Sequence, residues 1–558
     1  MEILWIIAIM IVVLFIKGIY DKKKERERLI IKLRNGWGLI SEEEYTESKL
    51  KSLQYYFENR FKKKPELSFL LDDITWNDLN MAELYFMLNN TGSAMGEEIL
   101  WAILHEPKTE EASLNEREKV IAFFQNNPDA RLKLQTHFAL TGKNRKISIY
   151  EYMDRMETVR RESNGMHYFG IAGILMSVIL LVCGVGMAGI LLIGFILFNL
   201  LTYYKRKGEI ELYYSVITYL IRMLEHAEKI VKEDIPELDS YFNILKEHIL
   251  ELKAFRKGAP AVTPQNPTGD MMAFFLDYFR ILFHSDLIRF NKMMKQYFKN
   301  KDRIIEVFET LGFLDAMCAV ASFRTWLGEY CVPEFVKEKQ FAAEQLYHPF
   351  LEKPVPATMK TQKSVLITGS NASGKSTFIK AAALNAIMAQ TIHTVCAKSY
   401  QTSFFKVYTS MALTDNLFGN ESYYIVEIKS LKRILDAIED DVPVLCFVDE
   451  VLRGTNTIER IAASSRILYS VANSNALMFA ATHDIELTYI LEKYFENYHF
   501  EEQILEDKVL FDYQLKTGRA TSQNAISLLG MLGYPKELMK QARAAAAHFL
   551  DKGEWETI

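Results

Sequence analysis

Long uninterrupted apolar runs are the most prominent feature in the pattern of hydrophobic and polar positions. Residues 3–16 are apolar and are followed at once by a charged segment that begins at Lys17. Residues 168–204 contain no charged side chain, and this run is longer than the about 20 residues that one membrane-spanning helix needs. The pattern therefore predicts an N-terminal transmembrane anchor over 1–20 and a transmembrane helical hairpin over 168–204, with three spans in all.

The second apolar run has a natural turn at Gly184 and Gly186, which predicts helices near 169–183 and 187–203. Basic residues flank both ends of this run, and such residues stay on the cytoplasmic side of a membrane. We therefore expect a multi-pass membrane protein. A cleaved signal peptide remains the alternative for the first run, and a buried helical pair in a soluble core for the second.

The remaining sequence up to residue 340 predicts soluble helices, because apolar positions recur three and four residues apart in 21–165 and 205–340. Apolar residues make up 49% of the 558 residues and charged residues 25%, which is typical of globular domains. The net charge of −5 excludes attachment to nucleic acid by bulk charge alone. The five cysteines form no CxxC pair, which favours reduced thiols over a zinc site.

A phosphate-binding motif begins the chemically informative part of the chain. An apolar segment, Ser364–Thr368, predicts a buried strand that runs directly into G-x-x-x-x-G-K-S and then into a helix starting near Thr377. In such a loop, backbone N–H groups surround phosphate oxygens, the lysine contacts the β- and γ-phosphates, and the serine hydroxyl binds Mg²⁺. The alternative is an ordinary glycine-rich turn. The predicted nucleotide-binding residues are Gly369, Ser370, Asn371, Ala372, Ser373, Gly374, Lys375, Ser376 and Thr377.

Two further apolar segments end in polar side chains. Residues 444–448 predict a strand that ends in Asp449 and Glu450. We expect Asp449 to hold Mg²⁺ together with Ser376, and Glu450 to deprotonate the attacking water, with the two acids on opposite faces of the strand. Residues 476–482 predict a strand beside Ser364–Thr368, the strand that precedes the phosphate-binding G-x-x-x-x-G-K-S motif (the P-loop). His483 follows this strand, and we expect it to contact the γ-phosphate. A solvated acidic turn and a structural histidine are the alternatives.

Several ordered blocks resemble a known family, the MutS ATPases of DNA mismatch repair, which share the ABC-type ATPase core. These blocks cover 347–352, 368–377, 421–428, 449–457 and 481–488, and 71–79 and 92–107 look like the start of the family's helical core. The resemblance implies a multidomain α and α/β fold. A helical core and lever domain, interrupted by the hairpin, would precede a P-loop ABC-type ATPase domain over 341–558 with a C-terminal helical dimerisation element.

The resemblance also implies ATP and Mg²⁺ as cofactors, a homodimer, and Ser422 as a signature serine that reaches the partner's γ-phosphate. Lys375, Glu450 and His483 would carry catalysis in a cytoplasmic ATPase domain. This sequence departs from the family at Ser370-Asn371-Ala372, where Pro-Asn-Met is usual, and at Leu452, where glycine is usual.

Two functions follow from these features. One is a membrane-anchored ATPase coupled to double-stranded DNA, as in mismatch repair or DNA damage sensing. The other is an ATP-driven membrane switch that does not bind DNA. The second is favoured by the acidic net charge, and by the expectation that this sequence has no counterpart of the family's mismatch-reading domain. A transporter with its own pore is disfavoured, because the predicted spans contain no charged side chain that could line a substrate path.

Overall fold

The computed structural model describes residues 2–41, 46–67, 69–144, 147–159, 162–253, 255, 278–370, 373–411, 423–439, 441–505, 508–520, 526, 529 and 533–557. The chain divides into two compact units. We call the first the helical unit; it comprises Met1–Lys64, Leu88–Ala102 and Lys119–Phe323. We call the second the sheet unit; it comprises Pro65–Met87, Ile103–Glu118 and Arg324–Ile558.

Up to residue 330, the described part of the chain is mainly α-helical. In chain order the α-helices are α1 (Glu2–Asn35), α2 (Glu47–Asn59), α3 (Asp73–Asp78), α4 (Met81–Leu88), α5 (Ala94–Leu104), α6 (Glu111–Asn126), α7 (Pro128–Thr141), α8 (Ile149–Arg155), α9 (Gly165–Val182), α10 (Ala188–Ile230), α11 (Asp239–Glu251), α12 (Ser285–Lys299) and α13 (Lys301–Leu327). Side-chain caps fix where some of them begin. Thr46 accepts a hydrogen bond from the Lys49 amide at the start of α2, and Ser148 does the same at the start of α8.

Small residues and one carboxylate hold the centre of the helical unit together. Asp315 on α13 accepts hydrogen bonds from the amides of Gly92 and Ser93, at 3.0 and 2.9 Å, just before α5 begins. A Cβ atom at Gly312 would lie 2.7 Å from the Met95 carbonyl oxygen, so the two helices approach closely only because this residue is glycine. The sequence block 92–107 is thereby fixed to a helix more than 200 residues further along the chain.

The apolar run over 168–204 forms two helices joined by a short turn, as the pattern predicts. Only 22% of the apolar window of α9 is buried, and 17% of that of α10, which is far less than core helices of a soluble protein bury. Both are candidate membrane spans. α10 does not end near residue 203 as predicted but continues to Ile230, because no proline interrupts it.

The predicted N-terminal anchor over 1–20, the remaining one of the three predicted spans, is not supported. Residues 3–16 fall within α1, but most of their side chains lie outside the described part of the chain. Among the described residues, two helices have the length and composition to cross a membrane.

Polar contacts join the base of the hairpin to α12. Asn199 on α10 is buried and donates to the Leu282 carbonyl oxygen at 2.9 Å, while its own carbonyl lies 2.9 Å from Nε2 of His284. One turn further, the Tyr203 hydroxyl donates to Asp286 at 2.9 Å, and two turns further Lys207 forms an ion pair with the same carboxylate at 2.9 Å. These contacts attach α10 to α12 and to the residues just before it, within the same unit.

The sheet unit contains a six-stranded sheet in the order β12-β9-β4-β8-β7-β6, a four-stranded sheet in the order β1-β5-β2-β3, and the hairpin β10-β11. The strands are β1 (Glu334–Phe335), β2 (Phe341–Leu346), β3 (Ala357–Thr361), β4 (Ser364–Thr368), β5 (Ser399–Thr402), β6 (Lys406–Ser410), β7 (Val444–Asp449), β8 (Ala476–Ala481), β9 (Phe495–His499), β10 (Glu502–Leu505), β11 (Lys508–Phe511) and β12 (Lys516–Thr517). The helices are α14 (Lys375–Thr391), α15 (Tyr423–Asp436), α16 (Thr457–Ala472), α17 (Ile485–Ile490) and α18 (Lys536–Lys552).

The centre of the large sheet is parallel, which explains the continuous apolar segments in the sequence. Every residue of β4 and β8 is buried, as expected when helices cover both faces of a parallel sheet. β8 pairs with β4 on one side and with β7 on the other. The prediction that the third apolar segment lies beside the P-loop strand is therefore confirmed.

The edge strand β6 is covered by a segment that the sequence pattern assigns to the helical domain. Asp78 at the end of α3 accepts hydrogen bonds from the Thr409 hydroxyl at 2.7 Å and from the Met411 amide at 2.9 Å. The Thr75 hydroxyl accepts from the Thr409 amide at 3.2 Å. Because an exposed strand edge carries unpaired backbone groups, these contacts explain why 65–87 belongs with the sheet.

A buried ion pair ties another early segment to the same unit. Arg324 donates to both carboxylate oxygens of Glu118, at 2.8 and 2.6 Å, and Nδ1 of His393 lies 3.1 Å from one of them. Burial alone would raise the pKa of Glu118, but the hydrogen bonds from Arg324 and His393 outweigh it and lower the pKa to about 2. Glu118 is therefore ionised at neutral pH.

Candidate functional site

The carboxyl ends of three parallel strands meet at one edge of the large sheet. Ala481 is the register partner of both Ile367 on β4 and Asp449 on β7. The pairing continues one step beyond the strands, because the Thr482 amide donates to the Ile367 carbonyl oxygen at 3.0 Å and the Glu450 amide donates to the Ala481 carbonyl oxygen at 3.1 Å. The P-loop, the acidic pair and His483 thus follow the same edge, where ligands of open α/β sheets bind.

The P-loop backbone has positive φ angles at its two glycines. Gly369 and Gly374 have φ values of 139° and 109°, which favour glycine. A Cβ atom at Gly369 would lie 2.7 Å from the Phe500 carbonyl oxygen. α14 begins at Lys375, two residues earlier than predicted, so Ser376 and Thr377 lie in its first turn. Asn371 and Ala372 lie outside the described residues.

Lys375 is buried and folds back onto the loop that carries it. Its Nζ donates to the carbonyl oxygens of Gly369 and Ser370, the second at 2.9 Å. Burial lowers the pKa of Lys375 to about 8, although the negative charges of Glu450 and Asp449 act in the opposite direction. The acidic pair is therefore close enough to Lys375 to act on its charge.

The Glu450 carboxylate contacts two side chains. It forms an ion pair with Arg453, and its carboxylate lies 3.0 Å from Nε2 of His483. Burial raises the pKa of Glu450, but the hydrogen bond from His483 and the charges of Arg453 and Lys375 lower it below the ordinary value overall. The carboxylate is consequently ionised, and therefore able to accept a proton, at neutral pH.

The backbone at Glu450 changes one prediction. We expected Asp449 and Glu450 on opposite faces because adjacent strand residues alternate. Asp449 is the last residue of β7, whereas Glu450 has a φ of 63° and is no longer extended. The alternation rule therefore does not apply to this pair, and a left-handed residue of this kind is often found at functional sites.

His483 is followed by a residue, Asp484, whose contacts fix the position of this loop. Its side chain is 39% exposed, and the hydrogen bond from its Nε2 goes to Glu450. Asp484 forms a bidentate ion pair with Arg460, at 2.9 and 2.6 Å, and its amide donates to the Thr482 hydroxyl at 3.0 Å. These contacts hold His483 against the acidic pair.

The segment after the acidic pair contains a second left-handed residue, Leu452, with a φ of 60°. This is the position at which the MutS resemblance expects glycine. Further along, the Arg453 amide donates to Glu427 at 3.2 Å, and a Cβ atom at Gly454 would lie 2.9 Å from Cβ of Tyr424. α15 therefore packs closely against this segment. Ser422, which directly precedes α15, lies outside the described residues.

Sequence reasoning missed three residues that contact the P-loop. Glu502 is buried and accepts a hydrogen bond from the Ser370 hydroxyl at 3.2 Å. A Cβ atom at Gly374 would lie 3.3 Å from the Tyr513 ring and 3.8 Å from the Phe500 ring. The strand β9 could have indicated these residues. It pairs with β4 on the side opposite β8, so the residues that follow β9 reach the same sheet edge as the P-loop.

The donor set fits a magnesium ion. Ser376 offers a hydroxyl oxygen and Asp449 a carboxylate oxygen, and Mg²⁺ prefers oxygen ligands while keeping several waters or phosphate oxygens. Within the described residues, no group of three or more His, Cys, Asp and Glu side chains could hold a metal ion. A magnesium site that takes most of its ligands from phosphate and water does not need such a group.

Comparisons with known proteins agree with this geometry. Residues 365–550 match the family model described as MutS domain V. The DNA mismatch repair protein MutS of Natronomonas pharaonis is 31% identical over 265 residues, which cover 46% of this chain and 30% of that protein. MutS of Thermus aquaticus is 30% identical over 251 residues, or 44% and 30% of the two chains. MutS protein homolog 4 of Homo sapiens is 31% identical over 262 residues, or 44% and 28%. The matched part spans about 30% of the length of these relatives.

Proposed function

The chain belongs to the MutS family through its C-terminal half, and on that premise we propose that it is an ATPase that binds ATP with Mg²⁺ and hydrolyses it to ADP and phosphate. The observation that carries the proposal is the meeting of the P-loop, the acidic pair and His483 at one sheet edge, with Lys375 under the electrostatic influence of Glu450. This is the arrangement that phosphoryl transfer to water requires.

The P-loop residues bind the triphosphate. Backbone N–H groups at the start of α14 would surround the phosphate oxygens. Lys375 leaves the carbonyl oxygens of Gly369 and Ser370 and donates to the β- and γ-phosphates instead. Ser376 and Asp449 would hold Mg²⁺, which neutralises phosphate charge when it is bound.

Glu450 then activates water. Its ionised carboxylate accepts a proton from the water whose oxygen attacks the γ-phosphorus, and the bond to the leaving ADP oxygen breaks. Arg453 and His483 orient the carboxylate, because each contacts it directly. His483 also faces the position of the γ-phosphate, where a hydrogen bond from its ring stabilises the transferring group.

We further propose that the ATP cycle runs in a homodimer and is coupled to DNA. By resemblance, Ser422 would reach the partner's γ-phosphate, which would make each site composite. α18 would belong to the dimerisation element. Two of the relatives are named DNA mismatch repair proteins, which supports duplex DNA as the partner of this chain.

A second candidate function is a membrane switch that does not bind DNA. It is supported by the largely exposed apolar surfaces of α9 and α10 and by the contacts of Tyr203 and Lys207 with Asp286, which attach α10 to α12. Movement of α12 would be transmitted directly to the hairpin. In both candidates the ATPase domain is cytoplasmic and the chain crosses the bilayer.

The first test compares Glu450→Gln and Lys375→Ala in the purified full chain. Glu450→Gln should lower kcat for ATP hydrolysis by about 100-fold or more while ATP still binds, because the proton acceptor is lost but the P-loop is not. Lys375→Ala should weaken ATP binding itself by at least about tenfold. Glu486→Gln, at an exposed position near His483, is the matched control and should leave both quantities unchanged. Unchanged turnover in Glu450→Gln would refute the proposed role.

The second test measures binding of duplex and mismatched DNA at several salt concentrations. Coupling to DNA predicts binding at low salt that weakens steeply as salt rises, because phosphate contacts release counterions. ATP hydrolysis without DNA binding at low salt would leave the membrane switch as the function.

A further inference from the structure

The helical unit contains a large cavity that the proposed ATPase function does not use. Its volume is about 890 Å³, within the usual range for small-molecule sites. It is lined by residues of α1, α2, α5 and α7, by the segment that precedes α5, and by Ser322 of α13. These segments are distant in the sequence, so only the folded chain brings them together.

Among the described residues that line this cavity, positive charge outweighs negative charge. Lys32, Lys49 and Lys143 line it, and Glu97 is the carboxylate among its described lining residues. Lys49 forms an ion pair with one oxygen of Glu97 at 2.9 Å, and Lys143 with the other at 3.2 Å. One carboxylate is thus shared by two ammonium groups, and a third ammonium group lies on α1.

Asp315 is a buried carboxylate outside the lining, and it accepts hydrogen bonds from the amides of Gly92 and Ser93. Like charges in a partly enclosed space repel one another more strongly than they do in water. An anion in the cavity would relieve this repulsion.

The rest of the lining combines hydrogen-bonding groups with apolar surface. Side-chain amides of Asn89, Asn90 and Asn144 and the Thr91 hydroxyl lie around the lysines, while Leu29 contributes an apolar patch on α1. Amides and hydroxyls next to ammonium groups form the kind of surface that binds phosphate and its ester-linked polar groups. A hydrophobic ligand would instead remove water from the ammonium groups of Lys32, Lys49 and Lys143, which is costly.

We propose that this cavity binds a small soluble anion that carries one or more phosphate groups. α1 is one continuous helix, and Lys32 lies sixteen residues beyond Ile16, so the cavity lies about 24 Å along the helix from the apolar stretch over 3–16. A lipid headgroup at the end of that stretch would therefore not reach Lys32, which favours a soluble phosphate over a lipid as the source.

The test uses the full chain in detergent micelles with Lys375→Ala, so that the P-loop contributes little to phosphate binding. Sodium pyrophosphate is the probe, and titration calorimetry measures its affinity. Lys32→Gln and Lys143→Gln should each weaken pyrophosphate binding about tenfold, because each removes one charge-assisted hydrogen bond. Lys24→Gln, on an exposed position of α1 outside the cavity, is the matched control and should leave the affinity unchanged.

Three outcomes would overturn the inference. One is the absence of pyrophosphate binding in the Lys375→Ala chain, and another is an equal loss of affinity in Lys24→Gln and Lys32→Gln. The third concerns the source: if dihexanoyl phosphatidylglycerol binds and pyrophosphate does not, the cavity is a lipid site. Because these measurements involve no ATP turnover, they stand whether or not the chain hydrolyses ATP.

Discussion

Leu452 offers a sharp test of how the segment after the acidic pair is built. Its backbone is left-handed, with a φ of 60°, while its side chain is 2% exposed and belongs to the core of the sheet unit. A left-handed backbone costs about 1–2 kcal/mol for a residue that has a Cβ atom, and almost nothing for glycine. The buried leucine side chain therefore stabilises the unit while the backbone that carries it destabilises it.

Replacement by alanine and by glycine separates the two effects. Leu452→Ala replaces the buried isobutyl side chain by a methyl group, which costs about 2–5 kcal/mol, and it keeps the backbone strain. Leu452→Gly loses the methyl group as well but releases the strain. We therefore expect the glycine variant to be more stable than the alanine variant by about 1 kcal/mol, which corresponds to about 2–4 °C in Tm for a unit of this size.

The assay is differential scanning calorimetry of the full chain in detergent, and the transition of the sheet unit is the one that ATP with Mg²⁺ shifts upward. Leu468 on α16 is the control, because it lies fully buried in the same core but on a helix. There, glycine should be less stable than alanine by about 1 kcal/mol. A glycine variant at 452 that is no more stable than the alanine variant would refute the reasoning.

Three further changes test the electrostatics and the sheet edge. Because the folded pKa of Glu118, about 2, lies below the ordinary 4.5, its stabilising effect is present above pH 4.5 and is lost as pH falls towards 2. Glu118→Gln should flatten the acid side of the Tm profile, and an unchanged profile would contradict this. Glu502→Gln should tighten ATP binding about threefold to tenfold in calorimetry, because a negative charge beside the P-loop is removed; weaker binding would contradict it. Asp78→Ala should lower the Tm of the sheet unit by several degrees, since two buried donors lose their acceptor; a Tm change below about 1 °C would show that this contact does not matter.

Much of the architecture was predictable because its signals are local. Ser364–Thr368 is a strand with the bounds that the apolar segment predicts, and the two apolar helices of the hairpin lie on either side of the predicted turn. A strand buried on both faces and a helix in lipid both need continuous apolar residues, so each is visible in one short stretch of sequence. The motif residues that directly follow such a strand can also be recognised from one short stretch of sequence.

The sequence alone therefore determined the element types, the P-loop, the acidic pair and the family resemblance. Tertiary structure alone decided that Glu502 reaches the P-loop, that 65–87 covers a sheet edge, that Leu452 is left-handed and that three lysines share one cavity. The physical reason is the range of the interactions involved. Hydrophobic periodicity and turn chemistry act between neighbours in the chain, whereas a shared carboxylate or a covered strand edge depends on residues that only the complete packing brings within hydrogen-bonding distance.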